Sequence, residues 1–103
     1  MKALVYTGVQ ELVYREEKNP KEIEGESIIK VQASGICGSD MHAYHGQDER
    51  RNPPLILGHE VSGQIQKGKY KDKYVVLNPL IACSNCSYCL NGNEHLCPKR
   101  SMV

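Results

Sequence analysis

The chain contains no phenylalanine and no tryptophan; its aromatic content, 6%, consists of six tyrosines. A core built on large aromatic packing is therefore excluded, and Val, Ile, Leu, Ala and Tyr must supply the interior, a composition that favours strands. Long apolar runs are missing as well. The tetrad Ala3–Tyr6 is matched only by equally short stretches elsewhere, which leaves neither a signal-type segment nor a membrane span. Charge of one sign is also absent. Thirteen Lys and Arg face twelve Asp and Glu, for a net charge of +1, so the one-sided basic field that binds phosphate backbones is lacking and no nucleic-acid partner is expected. Finally, no G-x-G-x-x-G occurs, and with it goes the dinucleotide-binding turn. Internal repeats and low-complexity tracts are missing too.

Cysteine, by contrast, is concentrated. Cys83, Cys86, Cys89 and Cys97 follow the pattern C-x2-C-x2-C-x7-C. Short C-x2-C turns deliver thiolates in pairs, as a tetrahedral zinc ion requires. Gly92 permits the intervening loop to reverse and return the fourth sulfur. His95 is a second candidate for that fourth position. Two disulfides are the competing account, but five cysteines without a secretory leader point to a reducing, cytoplasmic setting, where clustered thiols read as metal ligands.

At 103 residues the chain is the size of one domain, expected to bury roughly 60–70% of the surface that its unfolded form exposes. Lys2–Thr7 and Leu12–Arg15 read as a hairpin about Gly8–Gln10. Glu16–Glu26 is a charged loop or edge. Ser27–Ala33 alternates Ile29, Val31 and Ala33 against Lys30 and Gln32, the period of a strand with one wet face. Ile36–Tyr44 holds a helical turn that Ser39 or Asp40 is suited to cap. After a polar loop over 47–52, Leu55–Leu57 is apolar and Val61–Gln66 alternates again. Lys67–Lys73 is a basic turn, Tyr74–Leu77 reads as a buried strand, and Pro79 marks the start of a cysteine lobe over 80–100. The fold class is mostly β with short helices.

Outside the lobe, Cys37 stands in Gly35-Ile36-Cys37-Gly38-Ser39-Asp40-Met41-His42, and Gly58-His59-Glu60 follows twenty-two residues later. A thiolate, an imidazole and a carboxylate are the ligand types of a zinc that keeps an open position. Spacing alone leaves the choice open, because a free buried Cys and a satisfied core His are the commoner arrangement.

Taken jointly, Cys37-Gly38-Ser39-Asp40-x-His42, then Gly58-His59-Glu60-x-x-Gly63, then the four-cysteine lobe, resemble the N-terminal catalytic domain of zinc-dependent medium-chain alcohol and polyol dehydrogenases. The opening Met1–Tyr6 is similar to that family's first strand. The resemblance spans nearly the whole chain and implies a GroES-like, partly open β-barrel over 1–103. It implies two Zn²⁺ per chain: one structural, on the four cysteines, and one catalytic, with Cys37 and His59 as ligands. Glu60 is either a third ligand or an outer carboxylate. Asp40 would orient the His59 ring, a role compatible with capping. Ser39 would accept the proton of the substrate hydroxyl and pass it towards His42, whose plainer reading is a surface histidine. His45, Tyr44, Arg50 and Arg51 read as exposed loop rather than substrate mouth. The implied reaction oxidises a small-molecule alcohol or polyol by hydride transfer to NAD or NADP, which a Rossmann domain outside this chain would bind. The fragment is thus expected to lack turnover alone, and the full-length form is expected to be a homodimer or homotetramer.

The sequence departs from the family pattern in two further places. The stretch from Glu60 to Cys83 is several residues short, with Lys71-Asp72-Lys73-Tyr74 where Gly-Asp-Arg-Val is usual, and this bears on barrel closure at that edge. Gly38 stands where some alcohol dehydrogenases carry a basic residue, which leans towards the polyol branch. Two other readings share the cysteine lobe: a zinc-ribbon-like binding module, and a GroES-like association module that retains only the four-cysteine zinc.

Overall fold

The computed structural model describes residues 1–103. Eight strands and two short helices form three antiparallel sheets. Strands β1 (Lys2–Gly8) and β2 (Glu11–Glu16) make the expected hairpin, and β4 (Leu55–Ile56) pairs with the other edge of β1. In the second sheet, β5 (Val61–Lys67) lies between β3 (Ile28–Ser34) and β6 (Tyr74–Val76). Strands β7 (Leu80–Ile81) and β8 (Ser101–Met102) pair as a two-stranded clasp on either side of the cysteine lobe. The sheets do not close on one another, and the result is a mostly β, partly open barrel. No helix is long and apolar enough to cross a membrane.

What core there is comes from β1, helix α1 (Gly38–Tyr44) and β5. Ala3 and Val5 alternate inward along β1, as a half-buried strand requires, and Tyr6, Ala43 and Ile65 join them. The β1–β2 turn is docked on the end of α1: the Gln10 amide donates to the Tyr44 carbonyl at 2.7 Å. Gly46 has φ +72°, and a Cβ there would lie 2.7 Å from Val9 Cγ2, so glycine is favoured at this turn.

Two expectations about burial are corrected. Tyr74–Leu77 supplies a strand, but an exposed one: Tyr74 and Val76 are 69% and 80% accessible, because β6 is a three-residue edge strand with no layer over it. Along β3 the alternating apolar face is open too, with Val31 55% accessible beside an irregularity in its pairing with β5. The accessible surface of 7942 Å² is well above the about 5,800 Å² of a compact monomer of this mass. The expected degree of burial is therefore not reached within these residues.

The β3–β5 pairing positions the second constellation. Ser34, the last residue of β3, pairs with Val61, the first of β5. Cys37 follows the one by three residues and His59 precedes the other by two, so antiparallel pairing brings them to the same end of the sheet. Gly63, two residues into β5, lies tight against β3: a Cβ there would collide with the Lys30 carbonyl and lie 2.9 Å from Ile29 Cγ2.

Candidate metal centres

The lobe is organised by turns rather than by a core. Ser84 adopts φ +60° inside the first C-x2-C turn, which folds the Asn85 and Cys86 amides back over the Cys83 sulfur. Helix α2 (Ser87–Leu90) starts after Cys86 and places Cys89 on its single turn. Gly92, at φ +75°, makes the expected reversal, and a 3-10 turn, Glu94–Leu96, delivers Cys97, which is fully buried. The four sulfurs lie within 4.8 Å of one another. Cys86 Sγ is 3.5 Å from Cys89 Sγ, and Cys83 Sγ is 3.9 Å from it. A regular tetrahedron of sulfurs about 2.3 Å from a central ion has edges of about 3.8 Å, and a disulfide needs about 2.05 Å. The donor set therefore fits a tetrahedral ion, and all five cysteines are free. Cys97, not His95, completes the set.

Protonation within the lobe is uneven. The backbone amide of Asn85, helped by that of Cys86, holds the Cys83 thiol down to about 6 against the opposing effect of burial. Burial, reinforced by the Cys86 thiol, pushes Cys89 up to about 12. In this folded arrangement a thiolate is favoured at Cys83 and disfavoured at Cys89.

The second group is Cys37, His59 and Glu60, whose donor atoms also lie within 4.8 Å of one another. Cys37 caps the N-terminus of α1 with extended backbone, and Asp40 occupies the third helical position, correcting the assignment of Ser39 or Asp40 as the cap. The Cys37 amide donates to Asp40 Oδ2 at 3.0 Å. Asp40 Oδ1 lies 3.5 Å from His59 Nδ1, the two side chains being 8% and 11% accessible. Gly58, at φ +121°, turns the chain into His59. Glu60 is seated from the other side: the Gly35 amide donates to its carbonyl at 2.7 Å, and a Cβ on Gly35 would collide with the Glu60 carboxylate. Glycine at 35 thus leaves the carboxylate its place beside Cys37.

Ser39 Oγ accepts from Arg51 Nη2 at 3.4 Å, and His42 Nδ1 lies 2.9 Å from Gln47 Oε1. Each hydroxyl or ring thus has its own partner, three residues apart on α1. Arg51, read from the sequence as exposed loop, is 23% accessible, and its Nη1 donates to Asp40 Oδ1 at 2.8 Å. No local signal separates it from Arg50, which is 85% accessible and bonded to Asp48. The Arg50 side chain and amide hold the Asp48 carboxyl down to about 2. Beside His59 a cleft of about 670 Å³ opens between the Leu55–His59 segment and residues 98–103, with Arg51, Leu57, Pro98 and Arg100 on its walls.

Comparison with known proteins identifies the family of the fold. An alcohol dehydrogenase from Geobacillus stearothermophilus is 39% identical over 107 residues, covering 95% of this chain and 32% of its own length. L-galactonate-5-dehydrogenase from Escherichia coli is 33% identical over 109 residues, covering 100% of this chain and 32% of its own. Among solved structures, alcohol dehydrogenase TADH from Thermus sp. ATN1 superimposes with a TM-score of 0.86 at 30% identity, over 100% of this chain and 32% of that one. The chain thus spans about a third of the length of the relatives it matches. Residues 23–103 match the family described as the alcohol dehydrogenase GroES-like domain, and with its partly open barrel and cysteine lobe the chain belongs to that family.

Proposed function

We propose that these residues are the zinc-carrying part of an NAD- or NADP-dependent alcohol or polyol dehydrogenase, forming one GroES-like domain with a structural lobe over 80–100. The reading is carried by the convergence of Cys37, His59 and Glu60 at the meeting ends of β3 and β5. Cys37 and His59, with Glu60 as ligand or close neighbour, would hold a zinc ion, which would supply the Lewis acidity that makes an alcohol hydroxyl acidic near neutral pH.

The remaining work falls to the chain. Asp40 faces His59 Nδ1, which favours the ring proton there and leaves Nε2 for the metal. The Ser39 hydroxyl takes the alcohol proton and hands it towards His42, whose Nδ1 is occupied by Gln47. Its other nitrogen is then the one that exchanges protons with solvent. Relays of this kind typically contribute about 10²–10⁴-fold. The four-cysteine site is coordinatively full and holds the lobe without entering the chemistry. The nicotinamide is bound by a domain outside these residues, and without it the fragment has no turnover. The full-length enzyme is cytoplasmic, a homodimer or homotetramer, and acts on a small alcohol or polyol, the latter favoured by Gly38 and by the likeness to a galactonate dehydrogenase.

Metal analysis tests the assignment. Two zinc ions per chain are expected, falling to one in Cys37→Ser with a melting temperature within a few degrees of wild type. A single zinc that survives Cys37→Ser and disappears with Cys86→Ser would instead mark an association module retaining only the lobe.

A further inference from the structure

We infer that Arg51 is the positioning residue of the Cys37/His59 centre: its guanidinium locks the Asp40 carboxylate that faces the His59 ring. The inference rests on the metal-centre reading above. Asp40 is the one charged side chain in the buried interior, and a carboxylate there needs compensating donors. It has them on both oxygens. Oδ2 takes the Cys37 amide at 3.0 Å, and Oδ1 takes Arg51 Nη1 at 2.8 Å. Held at both ends, the carboxylate cannot rotate, and Oδ1 stays 3.5 Å from His59 Nδ1. The ring thereby faces one fixed carboxylate oxygen, which favours a proton on Nδ1 over one on Nε2.

Arg51 is itself anchored at three points. Its backbone amide donates to the Asp48 carbonyl at 3.1 Å, its Nε lies 3.6 Å from Asp48 Oδ2, and its Nη2 reaches Ser39 Oγ at 3.4 Å. A planar fork can meet Asp40, Ser39 and Asp48 at once; a lysine ammonium on a flexible stem cannot. Arg51 therefore ties the orientation of a metal ligand to the position of the proton-accepting hydroxyl. Arg50 provides an internal control. It has the same charge and neighbours the same Asp48, yet it points to solvent and bonds neither Asp40 nor Ser39.

The test uses the chain loaded with Co²⁺, whose visible spectrum reports each centre. Affinity is read by titration against a competing chelator. Arg51→Met is expected to weaken Co²⁺ binding at the Cys37/His59 centre about 10–100-fold, the usual cost of removing a group that orients a ligand. It should also shift that centre's spectrum while leaving the four-thiolate spectrum unchanged. Arg51→Lys should fall between, and Arg50→Met should match wild type. Wild-type affinity and spectrum in Arg51→Met would overturn the inference, as would an equal loss in Arg50→Met, which would reduce the effect to net charge. If wild type takes up one Co²⁺ only, unaffected by Cys37→Ser, the metal-centre reading falls and takes this role with it. Should Arg51→Met lose the four-thiolate spectrum through misfolding, Arg51→Lys decides by nitrogen NMR of His59 in the zinc-loaded chain. A single Nδ1-protonated form in wild type and a mixture in the variant supports the role; identical spectra refute it.

Discussion

Replacing Cys86 by serine separates a lobe held by metal from a lobe held by packing. Between Cys83 and Cys97 the only fully buried side chain is Cys97, and Tyr88, Leu90 and Leu96 are 46%, 74% and 50% accessible. Ordering these fifteen residues costs on the order of 15–30 kcal/mol of backbone entropy. Within the segment, six backbone hydrogen bonds, from Leu90→Cys86 to Cys97→Glu94, offset only about 3–9 kcal/mol. With almost no apolar burial to cover the difference, the metal-free lobe is expected to unfold, and binding energy of the size seen in small zinc domains, about 10–16 kcal/mol at neutral pH, is expected to order it. Cys86→Ser removes one of four thiolates and is expected to abolish tight zinc binding there. Amide exchange then has a clear signature: Leu90, Asn91 and Cys97 lose protection, while amides in the β1–β2 and β3–β5 pairs keep theirs. The clasp of β7 and β8 should loosen with the lobe, since that lobe joins its strands. Wild-type protection at Leu90 and Cys97 in Cys86→Ser, with chelator present, would refute the argument.

Zinc uptake by the lobe should strengthen as pH rises, because the unfolded, metal-free segment carries four ordinary thiols of pKa about 8.5 and all four must lose their protons to the metal. Apparent affinity should therefore fall steadily as pH drops below about 8, and calorimetry in buffers of different ionisation enthalpy will count about four protons released per zinc at pH 7. Release of two protons or fewer would contradict the assignment. Gly63→Ala should destabilise the second sheet by about 1–3 kcal/mol, since the added methyl meets the Lys30 backbone rather than a movable side chain. Urea unfolding followed by circular dichroism measures this, and an unchanged midpoint would mean that β3 and β5 separate without cost.

The cysteine lobe was legible because its information is local. Four ligands in fifteen positions and a glycine at the reversal leave the chain few other ways to satisfy them. The β1–β2 hairpin was legible for the same reason. Cys37 and His59 were not joined by spacing; the family resemblance suggested them, and only the pairing of Ser34 with Val61 brings them to one end of a sheet. Burial was the least legible property. Tyr74–Val76 has the composition of an interior strand, yet accessibility depends on whether another layer lies above it, and none does here. Arg50 and Arg51 are chemically identical neighbours, and nothing along the chain distinguishes them. By itself, then, the sequence determined the four-cysteine lobe, the strand-rich class and the candidate ligand types, because each follows from residues close together. The tertiary structure decided which arginine reaches Asp40, which apolar strands stay exposed, and that a thiol and an imidazole twenty-two residues apart face one point, because those depend on contacts that only strand pairing creates.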